Sequence, residues 1–136
     1  MNDCIFCKII NNEMPAQKIY ENDKVLAFLD IHPCNYGHTL VVPKNHYKDL
    51  LDTPKEIVAE LMSAVQKIAP AVVKGSNAQG FNLGLNNGSA AGQIIFHAHF
   101  HIIPRFAGDG LIQWGHKEYA EGGMEKIKNE IIKHLR

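Results

Sequence analysis

The sequence lacks an excess of charge of either sign, since its 136 residues carry 14 Lys or Arg and 14 Asp or Glu and a formal net charge of zero. Without a net positive field to hold a nucleic-acid backbone, we expect no nucleic-acid partner. The sequence also lacks an apolar run near the roughly 20 residues that cross a bilayer, and its N-terminus lacks a basic segment followed by a long apolar one. We therefore predict a soluble, cytoplasmic protein with no membrane partner.

Cysteine is scarce and odd in number, with Cys4 and Cys7 in a C-x-x-C pair and Cys34 far from both. An odd count argues against a secreted disulfide scaffold. The surrounding segment CIFCKIINNEM does not supply the strand and helix that flank a thioredoxin-like redox pair. We therefore interpret Cys4 and Cys7 as half of a metal site.

The length fits a single domain over residues 1–136. Hydrophobic patterning predicts a short N-terminal helical turn, strands at 18–20, 25–29, 39–42, 81–85 and 95–103, and helices at 54–73 and 124–135. Thr53 is the predicted N-cap of the longer helix, in a capping box with Glu56, and Pro70 is predicted to kink or end that helix. Because strands and helices do not alternate regularly, we expect an α+β domain with an antiparallel sheet.

Three histidines, His97, His99 and His101, alternate in the segment FHAHFHIIPR. On a strand they point to one face while the apolar residues between them point to the core. Three titratable rings on one face favour a chemical role over solvent exposure, either as a zinc tripod or with an imidazole as a nucleophile toward phosphorus. Because three such positions span about 13 Å, the geometry favours dividing the histidines between tasks.

Longer segments resemble a known family. GQIIFHAHFHIIPR is similar to the signature of the histidine triad (HIT) family, FLDIHPCNYGHTLVVPKNHY resembles its upstream block, and CIFCKII resembles the N-terminus of its zinc-containing, Hint-like bacterial-type branch. The resemblance covers residues 4–105 and leaves 106–136 as a C-terminal loop and helix. It implies a HIT fold, with about five antiparallel strands, a long central helix and a C-terminal helix, and a homodimer in which the sheets join.

The resemblance also implies an activity. The protein would be a nucleotide hydrolase, a phosphoramidase, that cleaves at the α-phosphate of a nucleoside phosphoramidate or related conjugate, and its ligand would be a purine nucleoside monophosphate or conjugate. His99 would attack phosphorus to form a nucleotidyl-histidine intermediate, and His101 would contact the phosphate or leaving group and assist proton transfer. An uncharged imidazole is a competent nucleophile at neutral pH, so no catalytic metal is required.

The same resemblance implies one structural zinc per chain. Its ligands would be Cys4, Cys7, His46 and His97, a Cys₂His₂ set that leaves no open position for catalysis. The alternative is an empty site with buried thiols.

The nucleotide contacts implied by the resemblance are Phe28, Asp30, Ile31, Asn86, Ser89, Gly92 and Gln93. Asp30 would accept hydrogen bonds from the ribose hydroxyls, whereas Phe28 is equally well explained by core packing. Ile94 stands where related proteins often carry a hydroxyl residue, which leaves the leaving-group preference open. His38 matches a family position without an assigned role, and Trp114 reaches a neighbouring subunit's site or anchors the C-terminal segment.

Three other functions are compatible with the sequence. The protein could be a nucleotide-binding or scaffold module with vestigial activity, or a dinucleoside polyphosphate hydrolase. Transfer to a second substrate, as in the related galactose-1-phosphate uridylyltransferases, is disfavoured because Ala98 replaces their proline and the chain lacks their duplicated domain.

Overall fold

The computed structural model describes residues 3–135. Its elements, in chain order, are α1 (Ile5–Ile10), β1 (Lys18–Glu21), β2 (Val25–Leu29), β3 (Thr39–Pro43), α2 (Lys55–Gly75), β4 (Gly80–Leu85), β5 (Phe100–Arg105) and α3 (Gly123–Lys133). A single 3₁₀ turn, Ser89–Ala91, lies between β4 and β5. The strands form one antiparallel sheet in the order β1-β2-β3-β5-β4, which confirms the predicted α+β class and strand number.

The two faces of the sheet are covered by different helices. On one face, Val25, Ala27 and Val41 belong to a buried cluster with the apolar stripe of α2. On the other face, Leu26 and Leu40 pack with residues of α1 in a second buried cluster. Alternate residues of each strand therefore enter different cores, as the period of two requires.

The register places the last histidine of the row on the α1 face. His101 in β5 lies opposite Leu40 of β3 on one side and Gly84 of β4 on the other. Residues directly opposite each other in a sheet share a face, so His101 points to the same side as Leu40. The α1 face is therefore the face that carries the histidine chemistry.

The predicted histidine strand is too long at its N-terminal end. β5 begins at Phe100, and residues 95–97 form a bend, so His97 and His99 precede the strand. Phe96 is 42% exposed and is not the core residue that strict alternation predicts. The backbone N–H of Ala98 donates to the carbonyl of Tyr47 (2.7 Å), a loop residue, which takes this segment out of the sheet ladder.

Helix α2 also differs from its prediction at two points. Its N-cap is Pro54, because the Thr53 hydroxyl donates backwards to the carbonyl of Asp49 (2.7 Å) and makes no capping bond. The helix continues through Pro70 to Gly75. Proline removes one backbone hydrogen bond, but Ala69 and Val72 on either side of it are buried against the sheet, and this burial offsets the loss.

Helix α3 forms where the sequence predicts it, but it buries none of its residues. Its apolar stripe is exposed, at Met124, Ile127 and Ile131, and Leu135 just beyond its end is exposed as well. Within residues 3–135, no helix combines the length and hydropathy that crossing a bilayer demands.

Candidate active site and metal cluster

The ring of His99 is held in one tautomer by the backbone. Its Nδ1 lies 2.7 Å from the carbonyl oxygen of His97, and because a carbonyl can only accept, Nδ1 carries the proton. In the neutral ring Nε2 then keeps its lone pair. Burial lowers the pKa of His99 below its ordinary value, opposed by the hydrogen bond to His97, so the uncharged form dominates at neutral pH. The ring lines a pocket, which gives Nε2 the character of a nucleophile.

His101 is held in the opposite tautomer by a chain of donors. The backbone N–H of Cys34 donates to Nδ1 of His38 (3.0 Å), so the neutral His38 ring carries its proton on Nε2. Nε2 of His38 lies 2.9 Å from Nδ1 of His101 and donates to it. The proton of His101 therefore sits on Nε2.

Nε2 of His101 has no hydrogen-bond partner among residues 3–135, although it is shielded from solvent. A buried N–H without a partner costs free energy unless a ligand accepts from it. Burial, together with the neighbouring His99 and His38, lowers the pKa of His101 to about 4. The arrangement suits a neutral imidazole that donates a proton to a bound group.

His38 supports the ring of His101, and the sequence analysis assigned it no role. It is buried, its pKa is lowered mainly by burial, and its Nε2 also lies 3.7 Å from the carboxylate of Asp30. A signal was present, since the block GHTLVV carries a histidine, but nothing in the sequence pairs it with a residue 63 positions later.

The pocket in front of His99 and His101 has a volume of about 430 Å³. Its walls come from α1, from the end of β2 and from the loop before β5. Among the predicted nucleotide contacts, the residues that line it are Phe28, Asp30, Ile31, Asn86 and Gly92. Ile94 also lines it and is 87% exposed. The pocket thus combines apolar walls, the carboxylate of Asp30 and three imidazoles, those of His99, His101 and His32.

Two other predicted contacts, Ser89 and Gln93, are not among its lining residues. Gln93 is buried, its side-chain oxygen accepts from the Gly88 N–H (2.9 Å), and its amide group donates to the carbonyls of Lys48 and Ile95. Both of its N–H groups are therefore committed to the protein. The structure gives Gln93 the role of shaping the loop, not of offering its amide to a ligand.

The loop at this end of the pocket depends on glycine. Gly88 and Gly92 have φ angles of +91° and +95°, a region that side chains rarely adopt. A Cβ on Gly92 would also lie 3.5 Å from the side-chain amide of Asn86. That distance is an ordinary van der Waals contact, so the positive φ angle is what favours glycine at position 92.

Four potential ligand atoms converge next to this pocket. The atoms of Cys4, Cys7, His46 and His97 all lie within 4.8 Å of one another. Nδ1 of His97 is 3.4 Å from Sγ of Cys4, 3.6 Å from Sγ of Cys7 and 3.2 Å from Nδ1 of His46, while Sγ of Cys7 is 3.4 Å from Nδ1 of His46. Ligands at zinc's usual bond lengths occupy tetrahedron corners about 3.3–3.8 Å apart. The spacing therefore fits one tetrahedral ion.

The chemistry of these atoms fits as well. Nε2 of His97 lies 2.8 Å from the carbonyl of Pro43 and must carry the proton, so Nδ1 presents its lone pair to the cluster. Burial and the neighbouring Cys4 raise the pKa of the Cys7 thiol to about 11, so a thiolate here needs a cation to offset its charge. The Cys₂His₂ set thus meets the requirements of a zinc site.

The C-terminal loop is clasped to the end of β5. The Arg105 guanidinium makes two hydrogen bonds to the Asp109 carboxylate (2.7 and 3.0 Å), which also accepts from Asn35. Arg105 and the backbone N–H groups of Phe106 and Leu111 hold the pKa of Asp109 well below its usual range. Beyond this clasp Trp114 is 90% exposed and lines a second cavity, which shares His101 and Asn86 with the first.

Comparison with known proteins identifies the family. The HIT domain model matches residues 11–108. The adenylylsulfatase HINT3 of Arabidopsis thaliana is 52% identical over 110 residues, which are 81% of this chain and 56% of the plant protein. The adenosine 5′-monophosphoramidase HNT1 of Candida albicans is 38% identical over 106 residues, or 75% of this chain and 70% of that one. The chain thus spans little more than half the length of its plant relative.

Solved structures of similar proteins support the same family. The structure of SMU.412c from Streptococcus mutans superposes with a TM-score of 0.92 at 42% identity and covers all of this chain and 87% of that one. A zinc-bound histidine triad family protein from Mycobacterium smegmatis gives a TM-score of 0.78 at 40% identity, covering 95% of this chain and 98% of that one. With its matching domain, its sheet and its alternating histidines, the chain belongs to the HIT family.

Proposed function

We propose that this protein is a nucleotide hydrolase that cleaves the bond between the α-phosphate of a nucleoside monophosphate and its substituent, through a covalent nucleotidyl-His99 intermediate. The observation that carries the proposal is the 2.7 Å contact between Nδ1 of His99 and the His97 carbonyl. It commits the proton to Nδ1 and leaves a neutral, unprotonated Nε2 on the pocket side.

The two named relatives support the nucleotidyl half of the substrate. An adenylylsulfatase and an adenosine monophosphoramidase act on compounds that share an adenosine phosphate and differ in the group attached to it. The pocket has features for the shared half, with apolar walls for a base and the Asp30 carboxylate for ribose hydroxyls. We infer a purine nucleoside phosphoramidate or a related mixed phosphate as the substrate class.

The proposed reaction has two steps. In the first, Nε2 of His99 forms a bond to phosphorus while the bond from phosphorus to the leaving group breaks. The leaving group departs with the electron pair of that bond and with the proton that Nε2 of His101 delivers, so the His99 ring becomes a cation and the His101 ring carries the balancing negative charge until the second step. In the second, a water gives its hydroxyl to phosphorus and its remaining proton to His101, the N–P bond breaks, and the nucleoside monophosphate is released with both rings restored.

Zinc, bound by Cys4, Cys7, His46 and His97 at one equivalent per chain, would supply a crosslink between α1 and the loops that precede α2 and β5. Because all four ligands come from the protein, it leaves no position for substrate. The reaction is therefore proposed to need no catalytic metal.

The proposal includes a homodimer. β4 is an edge strand that carries exposed Phe81 and Leu83, and α3 presents an apolar stripe that nothing in residues 3–135 covers. A second copy added at β4 would continue the sheet and cover such surface.

The test compares the wild-type protein with His99→Asn on three substrates, an adenosine phosphoramidate, adenylylsulfate and a diadenosine polyphosphate. We expect the wild type to hydrolyse the first two and the variant to lose activity by at least about 10³-fold, since no other nucleophile is in place. Micromolar nucleotide binding without turnover of any substrate would instead indicate a binding module. Equal turnover by the variant would remove His99 as the nucleophile.

A further inference from the structure

The ring of His99 is connected to the metal cluster through a third residue, Phe6. Phe6 lies in α1 between the cluster residues Cys4 and Cys7, and its ring is 4% exposed. Its centroid is 5.0 Å from that of His99, with the two planes at 80°. This is the edge-to-face arrangement that aromatic pairs prefer. Phe6 is therefore a buried residue of the metal-binding helix in direct contact with the proposed nucleophile.

Two restraints act on the His99 ring, and both lead to the cluster. The hydrogen bond from Nδ1 ends on the carbonyl of His97, which is itself a cluster residue. The packing contact comes from Phe6, which two cluster residues flank in the sequence. The ring of Phe6 also contacts that of His97, at 5.9 Å and 76°. Phe6 also lines the pocket, but neither bond-making step of the reaction proposed above gives it a role.

The N-terminal end of α1 is attached to the rest of the protein through the cluster. At its N-terminus, Cys4 accepts a hydrogen bond from the Cys7 N–H (3.4 Å) and faces His97, so the first turn is attached to the rest of the protein through the cluster. An isolated helix of six residues has no stability of its own, and its position depends on what holds it. Loosening the cluster therefore loosens the ring of Phe6, and with it one side of His99.

We propose that Phe6 is a positioning residue through which the metal-bound N-terminal helix fixes the orientation and tautomer of the His99 ring. The structural metal then acts on catalysis without contacting substrate. This inference rests on the proposed function for the role of His99, but the state of the ring can be measured without any substrate.

The first experiment measures that ring directly. Two-bond ¹H–¹⁵N correlations of the full-length, zinc-loaded protein report which nitrogen of His99 carries the proton. We expect a single Nδ1–H form in the wild type and a mixture that includes the Nε2–H form in Phe6→Leu, which keeps apolar bulk but removes the ring. Ile10→Ala is the matched control, because Ile10 packs on the same cluster of core residues from the same helix without lining the pocket. It should leave the His99 signal unchanged.

The second experiment measures the rate of nucleotide transfer to His99 in a single turnover. Phe6→Leu should lower this rate by about 10- to 100-fold, the scale expected when a reacting group is misplaced by a fraction of an ångström to 1 Å. Removal of zinc from the wild type with a chelator should produce the same tautomer mixture as the leucine variant. If Phe6→Leu does not fold, Phe6→Met takes its place under the same expectations.

An unchanged Nδ1–H signal in the variant and in the zinc-depleted wild type would overturn the inference, as would transfer rates within about threefold of wild type. The proposed function would survive that result. Conversely, a wild type that forms no adduct on His99 would refute the proposed function, while the tautomer measurement would still decide the role of Phe6.

Discussion

Nε2 of His38 lies 2.9 Å from Nδ1 of His101, and the Cys34 N–H behind it fixes the direction of that hydrogen bond. The chain of donors starts at the backbone and ends on Nε2 of His101, the one buried side-chain nitrogen or oxygen without a hydrogen-bond partner in residues 3–135. Its effect is to hold a proton on Nε2 of His101, from which the leaving group takes it in the proposed reaction.

Removing this support should reduce activity in a way that depends on the leaving group. His38→Leu leaves Nδ1 of His101 without a donor, so we expect about 10- to 100-fold slower hydrolysis of an adenosine phosphoramidate, whose amine must leave protonated. Adenylylsulfate should be affected much less, since sulfate leaves without a proton. His38→Gln, which keeps an N–H donor, is the control and should recover part of the loss. Equal losses on both substrates would contradict a role in proton donation.

The cluster of Cys4, Cys7, His46 and His97 should bind one zinc per chain. Replacing Cys4 and Cys7 together by serine removes both thiolates and should abolish the metal and lower the melting temperature, because metal that binds only the folded chain stabilises it. Cys34→Ser is the matched control, since Cys34 lies outside the cluster, and it should keep the full equivalent. Elemental analysis measures both. Zinc retained in the double variant would place the site elsewhere.

Stability should fall as the solution is acidified. His101 titrates near 6.5 in the unfolded chain but near 4 in the folded protein, so between these values the unfolded chain binds more protons. The stability present above pH 6.5 is therefore lost progressively down to about pH 4, and the partly lowered pKa of His38 adds to the loss.

Melting temperatures across this range provide the test. His101→Gln removes one of these titrating rings, so its melting temperature should depend less steeply on pH than that of the wild type. Zinc is held constant in both, which cancels the contribution of its ligands. Parallel curves would contradict the low pKa of His101.

Asp109 should hold the C-terminal loop in place. Asp109→Asn removes the charge from the two-pronged contact with Arg105, while it keeps nearly the same shape. We expect faster proteolysis within residues 106–122 and little change in the rest of the chain. Glu130→Gln is the control, because it breaks the exposed ion pair with Lys133 in α3 and should not alter cleavage of the loop. A cleavage pattern identical to wild type would show that the clasp is dispensable.

Local pattern predicted most of the fold. β2 begins and ends where the apolar run 25–29 and the turn residues before it place it, and α2 and α3 differ from their predicted bounds by one or two residues. The errors arise where a particular hydrogen bond overrides the local preference. Thr53 fails as a cap because its hydroxyl finds the Asp49 carbonyl, and the histidine strand starts late because the Ala98 amide pairs with Tyr47.

The candidate site was likewise predicted in part. The sequence and its family resemblance bring together the four cluster residues and the two histidines of the pocket. The sequence does not reveal that the Gln93 amide donates to the Lys48 carbonyl, or that His38 donates to His101. In both cases the partner lies far away in the chain. The contact between Phe6 and His99 likewise joins residues 93 positions apart, and the alternation of hydrophobic residues carries no trace of it.

The central claim is that Nε2 of His99 bonds to phosphorus, and the adduct itself is the most direct evidence. Wild-type protein would be mixed with an adenosine phosphoramidate and quenched in alkali, where a phosphorus–imidazole bond survives, and its peptides would be weighed by mass spectrometry. The account predicts an adenylyl group on the peptide containing His99, fragment ions that localise it to that residue, and none in His99→Asn. Turnover by the wild type with an unmodified His99, or an adduct on His101 instead, would contradict it.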